Sequence, residues 1–134
     1  MSYEYAYRLR QRAKRYLESA KDNFKAGRYD IAGLEAEISA QLILKGYIVY
    51  LGLEFPRTHS IRALLSFIVS KDIMSEDIAD KLKDFARTHR NELIILERAR
   101  EAGQYSFIDI DKDEAEVCLK IADKLFSIIE DVWR

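Results

Sequence analysis

The sequence has little cysteine and little proline: Cys118 and Pro56 are the only residues of their kinds among 134. A single cysteine cannot form an internal disulfide bond, and no other Cys or His stands beside it to suggest a zinc site. We therefore expect a cytoplasmic protein without a bound metal. The scarcity of proline and the five glycines favour long helices with short connections.

Long apolar runs are also missing. The most apolar stretch, residues 42–51, is short and contains Lys45, whereas a membrane-spanning helix needs about 20 apolar residues. We therefore expect no membrane partner. The apolar residues, 49% of the total, should instead build the core of one domain that spans residues 1–134.

The motifs of the common enzyme classes are absent as well. The sequence contains no glycine-rich phosphate loop, metal-ligand spacing, nucleophile elbow or paired-carboxylate motif. No cofactor is therefore expected. The formal net charge is −1 although 34% of residues are charged, so any binding driven by charge must be local.

Apolar residues recur at the three- and four-residue steps of amphipathic helices. The pattern predicts an all-α fold of about five helices in an antiparallel up-and-down bundle. The first two helices run from Tyr3 to Ala26 and from about Tyr29 to Leu51. A connection from Gly52 to His59 follows, and the third helix continues from there to about Ser70. The fourth runs from an N-cap at Ser75 to about Gly103, and the last begins with a capping box at Asp111. The fourth helix is expected to bend near Arg87.

The first helix carries a basic face with interleaved aromatic residues. These residues are Arg8, Arg10, Arg12, Lys14, Arg15, Lys21, Lys25 and Arg28, with Tyr3, Tyr5, Tyr7 and Tyr16. Such a face can attract RNA phosphates and stack bases. The alternative interpretation is a solvated helix face whose tyrosines pack at its edges.

The second helix is apolar around much of its circumference over residues 42–50. A helix of this kind is either central in the bundle or part of a dimer interface. We expect a homodimer, because a two-fold dimer is the commonest assembly of soluble proteins.

The densest polar cluster is the segment 87–92, with the sequence Arg-Thr-His-Arg-Asn-Glu. His89 can exchange protons near neutral pH, and Arg87 and Arg90 can bind phosphate oxygens in pairs. With the amide of Asn91, these residues are our candidates for binding a nucleotide or phosphate. His89 and Arg90 are also candidates for catalysis, because RNA cleavage needs proton transfer and a cation beside the phosphorane.

Structural roles are the alternative for these residues. His89 can pack in the apolar stripe while the arginines form ion pairs with Glu92 and Glu97. His59 lies beside Ser60 just before the third helix, where a capping or packing role is more common than catalysis.

Three segments resemble the HEPN domain: Leu17 to Ala32 with its Gly-Arg-Tyr turn, Glu37 to Lys45 with Ala-Gln-Leu-Ile-Leu-Lys, and Pro56 to Leu65 with Pro-x-Thr-His. The resemblance implies a bundle of about five helices that is commonly dimeric. It also implies a role in prokaryotic toxin–antitoxin or defence systems, often beside a minimal nucleotidyltransferase. Some members of that family are metal-independent ribonucleases, and others bind nucleotides.

Nuclease members of that family carry an arginine, a polar residue and, a few residues later, a histidine. Arg90 and Asn91 match the beginning of this motif, but residues 92–97 contain no histidine, and His89 precedes the arginine. Our leading hypothesis is therefore a protein that binds a nucleotide or RNA phosphate and acts with a nucleotidyltransferase-like partner. A metal-independent endoribonuclease with a rearranged Arg/His site and a non-catalytic dimerisation module are the alternatives.

Overall fold

The computed structural model describes residues 3–105, 107 and 109–133, and within them the secondary structure is six α-helices and no strand. The helices are α1 (Tyr3–Lys25), α2 (Tyr29–Tyr50), α3 (Ile61–Ser70), α4 (Glu76–Thr88), α5 (Arg90–Ala102) and α6 (Lys112–Val132). No helix in the described residues is long and apolar enough to cross a membrane. The predicted all-α helical bundle is confirmed.

The first two helices form a closely packed hairpin. Gly27 has a φ of 80°, a left-handed conformation that glycine adopts readily and that ends α1. The Ser39 hydroxyl of α2 donates a hydrogen bond of 2.7 Å to the carbonyl of Ala13 in α1. Small side chains permit this close approach, and the fully buried alanines of the two helices are Ala6, Ala13, Ala20, Ala32, Ala36 and Ala40.

Helix α2 lies at the centre of the bundle and packs against α1, α3, α5 and α6. Its apolar residues Ile43, Leu44, Tyr47 and Ile48 are at most 1% exposed. Neighbours within the same chain therefore account for the apolar circumference of α2. A dimer interface is not needed to explain it.

The predicted fourth helix is divided into α4 and α5 by a break at His89, two residues beyond the expected bend at Arg87. His89 has a φ of −107° and a ψ of 24° and ends one helix as it begins the next. Thr88 and His89 are weak helix formers, and the break requires no proline. The apolar stripe continues across it through Leu82, Phe85 and Leu93, all of which are buried.

Three helix starts are capped by hydrogen bonds from backbone amides to side chains. The side chains of Ser60, Ser75 and Asp111 cap α3, α4 and α6, respectively. Each accepts from the amide three residues on, which satisfies a donor that the helix leaves free. The caps at Ser75 and Asp111 confirm the predicted starts of those helices.

Candidate functional site

An open cleft of about 700 Å³ lies between α3 and α4, where α5 begins. Its floor consists of the apolar residues Leu65, Val69, Leu82 and Ala86. Four cationic side chains surround this floor: Arg62, Lys83, Arg87 and Arg90. None of the described residues that line the cleft is acidic, so the cleft favours an anion.

Two of the four predicted binding residues, Arg87 and Arg90, line this cleft. An Nη atom of Arg87 lies 2.7 Å from Asp84 Oδ1, but both side chains are largely exposed, so the pair is weak. Arg90 is the first residue of α5 and forms no ion pair with any residue in the described part of the chain. Its guanidinium is therefore available to a ligand.

His89 and Asn91 are not among the residues that line the cleft. The His89 ring packs on Phe85, with 4.8 Å between ring centroids. Its Nδ1 lies 2.8 Å from Glu92 Oε2. The structure thus brings the two arginines together and places the imidazole in a separate pair with Glu92.

The predicted ion pairs of Arg87 and Arg90 with Glu92 and Glu97 are wrong. Glu92 contacts His89, and Glu97 instead accepts from Arg62 Nε at 2.9 Å, from Arg62 Nη2 at 3.2 Å and from the Arg62 amide at 3.1 Å. This bidentate pair fixes the guanidinium of Arg62 at the edge of the cleft.

Arg62 and Lys83 are cleft residues that sequence reasoning missed. A signal for Lys83 was present, because Lys83 and Arg87 are four residues apart and so share one face of α4. Arg62 had no comparable signal. It reaches the cleft only because α3 packs against α4 and α5.

A second group of polar residues lies between α2, α5 and the segment before α3. Glu37, Gln41 and Lys45 follow one another at four-residue steps on α2. Gln41 donates to Glu37 Oε2, while Gln41 Oε1 lies 3.3 Å from Lys45 Nζ and 3.2 Å from His59 Nδ1. Arg100 of α5 approaches Glu37 Oε1 to 4.0 Å. We call these five residues the α2 polar cluster.

Burial governs the charges of the α2 polar cluster. Glu37 is fully buried, and this desolvation raises its pKa from 4.5 to about 7, against the opposing effects of the Gln41 hydrogen bond, Arg100 and Lys45. The positive charge of Arg100, with smaller contributions from burial and Lys45, lowers the pKa of His59. Burial and Arg100 lower the pKa of Lys45. A carboxyl group that titrates near neutral pH is typical of functional sites.

The basic face of α1 fits the interpretation as a solvated surface. Several of its cations have acidic neighbours, including Arg10 with Glu130 at 3.1 Å and Lys21 with Asp123 at 3.0 Å. Its exposed Tyr3 also packs at the edge, 5.5 Å from the Tyr50 ring. Within the described residues, however, Arg12, Lys14, Arg15 and Lys25 form no ion pair, so part of the positive charge of this face stays free.

The described residues contain no group of three or more His, Cys, Asp or Glu side chains that could hold a metal ion. Cys118 is buried in α6, and burial raises the pKa of its thiol to about 12. The thiol is thus a core group and a poor nucleophile.

The family model of the HEPN domain matches residues 6–132. Similar solved structures include TT1696 from Thermus thermophilus, with 21% identity, a TM-score of 0.70 and coverage of 94% of this chain and 96% of that chain. No curated protein matches.

Two further structures are similar to this chain. ST0689, an archaeal HEPN homologue, has 19% identity and a TM-score of 0.67, with coverage of 96% of this chain and 98% of that one. An HEPN domain protein from Thermotoga maritima has 22% identity and a TM-score of 0.65, with coverage of 92% and 95%. Likeness at this level of identity supports the fold.

Proposed function

Because this chain belongs to the HEPN domain family, we propose that it binds the phosphate of a nucleotide or RNA in the cleft between α3 and α4. The observation that carries the proposal is the set of four cations around an apolar floor, with no acidic residue among the described residues that line it. Guanidinium groups bind phosphate oxygens in pairs, and their charge attracts the RNA backbone.

The shape of the cleft supports a ligand larger than a phosphate ion. A volume of about 700 Å³ lies within the range of small-molecule sites. The partly exposed floor residues Val69 and Ala86 offer apolar area to a base, while the surrounding cations reach its phosphate.

The biological setting is proposed from the family resemblance. It comprises a homodimer, a minimal nucleotidyltransferase partner and a role in a toxin–antitoxin or defence system. A phosphate-binding cleft is compatible with this setting, because a nucleotidyltransferase also handles nucleotides. Co-purification of the chain with the product of a neighbouring nucleotidyltransferase gene would test the pairing, and light scattering would test the dimer.

Metal-independent RNA cleavage is the second candidate function. The pair of His89 and Glu92 favours it, because a carboxylate that holds an imidazole is a common arrangement for a general base. Against it, His89 does not line the cleft that contains Arg90. We therefore rank binding above cleavage, and a purely structural interaction module remains the outcome if no nucleotide or RNA binds.

The test compares two doubly substituted chains of equal charge. Arg87→Gln with Arg90→Gln removes cations from the cleft. Arg98→Gln with Lys124→Gln removes two exposed cations that do not line the cleft. Binding of fluorescent single-stranded RNA and of labelled nucleotides is measured by anisotropy over a range of salt concentrations.

We expect the double substitution in the cleft to weaken RNA binding at least tenfold. It should also make the slope of log affinity against log salt concentration shallower by about 1.4, because each contact with a phosphate of single-stranded RNA contributes about 0.7. The control pair should leave binding nearly unchanged. Equal losses in both chains would contradict a localised site. Chelator-resistant RNA cleavage that is lost in both His89→Ala and Arg90→Ala would establish the nuclease instead.

A further inference from the structure

The α2 polar cluster contains a buried charge that the chain does not fully satisfy. Glu37 is 0% exposed, and no hydrogen bond within the described residues reaches its Oε1 atom. Arg100, at 4.0 Å, is too distant to donate. A buried carboxylate oxygen without a donor is costly.

The open side of the α2 polar cluster has excess positive charge. Among the described residues, Lys45 contacts a neutral amide oxygen and, at 5.3 Å, the Phe55 ring, and it forms no ion pair. His59 is exposed, and the Arg100 side chain is 37% exposed. The nearby Glu97 carboxylate is already engaged by Arg62. Lys45 and Arg100 thus lie near the interior carboxyl group of Glu37, while His59 contacts Gln41 beside it.

We propose that Lys45, His59 and Arg100 bind a phosphate-type oxyanion at the mouth of the α2 polar cluster, and that Glu37 takes up a proton from solvent when the anion binds. Such an anion would bring negative charge to a place where the positive charges of Lys45 and Arg100 repel one another. The protonated Glu37 would then add an O–H donor instead of a second negative charge.

A cationic ligand fits this place less well. Glu37 is buried behind Gln41, whereas the groups that solvent reaches are Lys45, His59 and Arg100. A cation would meet these three before it met the carboxylate. The electrostatic preference of the mouth is therefore for an anion.

This site is independent of the cleft proposed above. The two share no lining residue, and the pair of Arg62 with Glu97 lies between them, with Arg62 in the cleft and Glu97 close enough to raise the pKa of Glu37. The proposal does not rest on nucleotide binding in the cleft, so either one can fail alone. The ligand of this site is a tetrahedral oxyanion, and free phosphate, a nucleotide or an RNA phosphate would each supply one.

Sulfate is the appropriate first probe, because it resembles phosphate but does not titrate near neutral pH. We would titrate the full chain with sodium sulfate by calorimetry near pH 7, in buffers of different ionisation enthalpy. The expected result is saturable binding with net proton uptake. Inorganic phosphate and adenosine 5′-monophosphate, as competitors, would show whether the free ion or the nucleotide is preferred.

Four variants locate the binding and the proton. Arg100→Gln and His59→Gln should each weaken sulfate binding several-fold, and His59 is exposed, so its substitution is compatible with folding. Glu37→Gln should retain binding, bind more tightly than the unaltered chain near pH 8, and take up fewer protons. Arg87→Gln with Arg90→Gln in the cleft should leave the sulfate affinity unchanged.

Three results would overturn the proposal. The first is no saturable binding at about 10 mM sulfate, which corresponds to an affinity too weak to matter. The second is a sulfate affinity that stays the same in Arg100→Gln and also in His59→Gln, when circular dichroism shows that both variants are folded. The third is binding lost in the cleft variant, which would assign the sulfate to the cleft.

Discussion

The buried carboxyl group of Glu37 should make the stability of this protein fall as pH rises through neutrality. Its pKa is 4.5 in an unfolded chain and about 7 in the fold. Between these values the native chain holds a proton that the unfolded chain has released. Stability therefore decreases as pH increases across this window, and it levels off above pH 7.

The size of the effect follows from the two pKa values of Glu37. One unit of pKa corresponds to about 1.4 kcal/mol, so the difference costs about 3 kcal/mol of stability above pH 7. The isosteric substitution Glu37→Gln removes the charge and keeps an oxygen that can accept from Gln41. We expect it to raise the free energy of unfolding near pH 8 by up to about 3 kcal/mol, with a much smaller gain near pH 5.

Urea denaturation followed by circular dichroism, at several pH values between about 5 and 8, measures this difference directly. The charged groups around Glu37 are Lys45 on α2 and Arg100 and Glu97 on α5, and the neutral Cys118 thiol of α6 is also near it. Arg100→Gln removes a positive charge that favours the ionised form of Glu37. The pKa of Glu37 in the fold should therefore rise, and the pH range over which stability falls should extend to higher pH. A gain from Glu37→Gln that is equal at pH 5 and pH 8 would refute the reasoning.

Four further predictions concern side chains and glycines outside the two candidate sites. Leu93→Ala, at a fully buried position, should lower the free energy of unfolding by about 2–5 kcal/mol in urea denaturation. Gly103→Ala would place a Cβ 2.8 Å from Leu34 Cβ and should cost about 1–3 kcal/mol. Gly27→Ala would place its Cβ in open space at a φ of 80° and should lower the free energy of unfolding by only about 1 kcal/mol. A melting temperature that falls more in Gly27→Ala than in Gly103→Ala would contradict this order. Cys118 should react with iodoacetamide only after unfolding, and rapid labelling of the native chain would show the thiol to be accessible.

Periodicity was sufficient to predict most of the bundle. The stripes of α1 and α6 are buried as expected, because a regular repeat over about twenty residues defines one helix face unambiguously. The break at His89 was harder to predict. The apolar stripe passes through it without interruption, and neither proline nor glycine marks the place.

The candidate sites depended on packing that a sequence does not reveal. The segment 87–92 drew attention because its polar residues are adjacent in the sequence, yet only Arg87 and Arg90 line the cleft. Arg62 joins them from another helix. The α2 polar cluster brings together residues from three parts of the chain, and only the four-residue spacing of Glu37, Gln41 and Lys45 was visible beforehand.

Helix α4 forms one wall of the cleft, but the core holds it weakly. Only Leu82 and Phe85 are buried among its thirteen residues, whereas α2 has thirteen buried residues. Local stability follows buried contacts, so amide hydrogens should exchange sooner in α4 than in α2. We therefore expect α4 to unfold locally while the α1–α2 hairpin stays intact. A ligand that bridges α3 and α4 would slow this exchange, and part of its binding energy would be spent on ordering the wall.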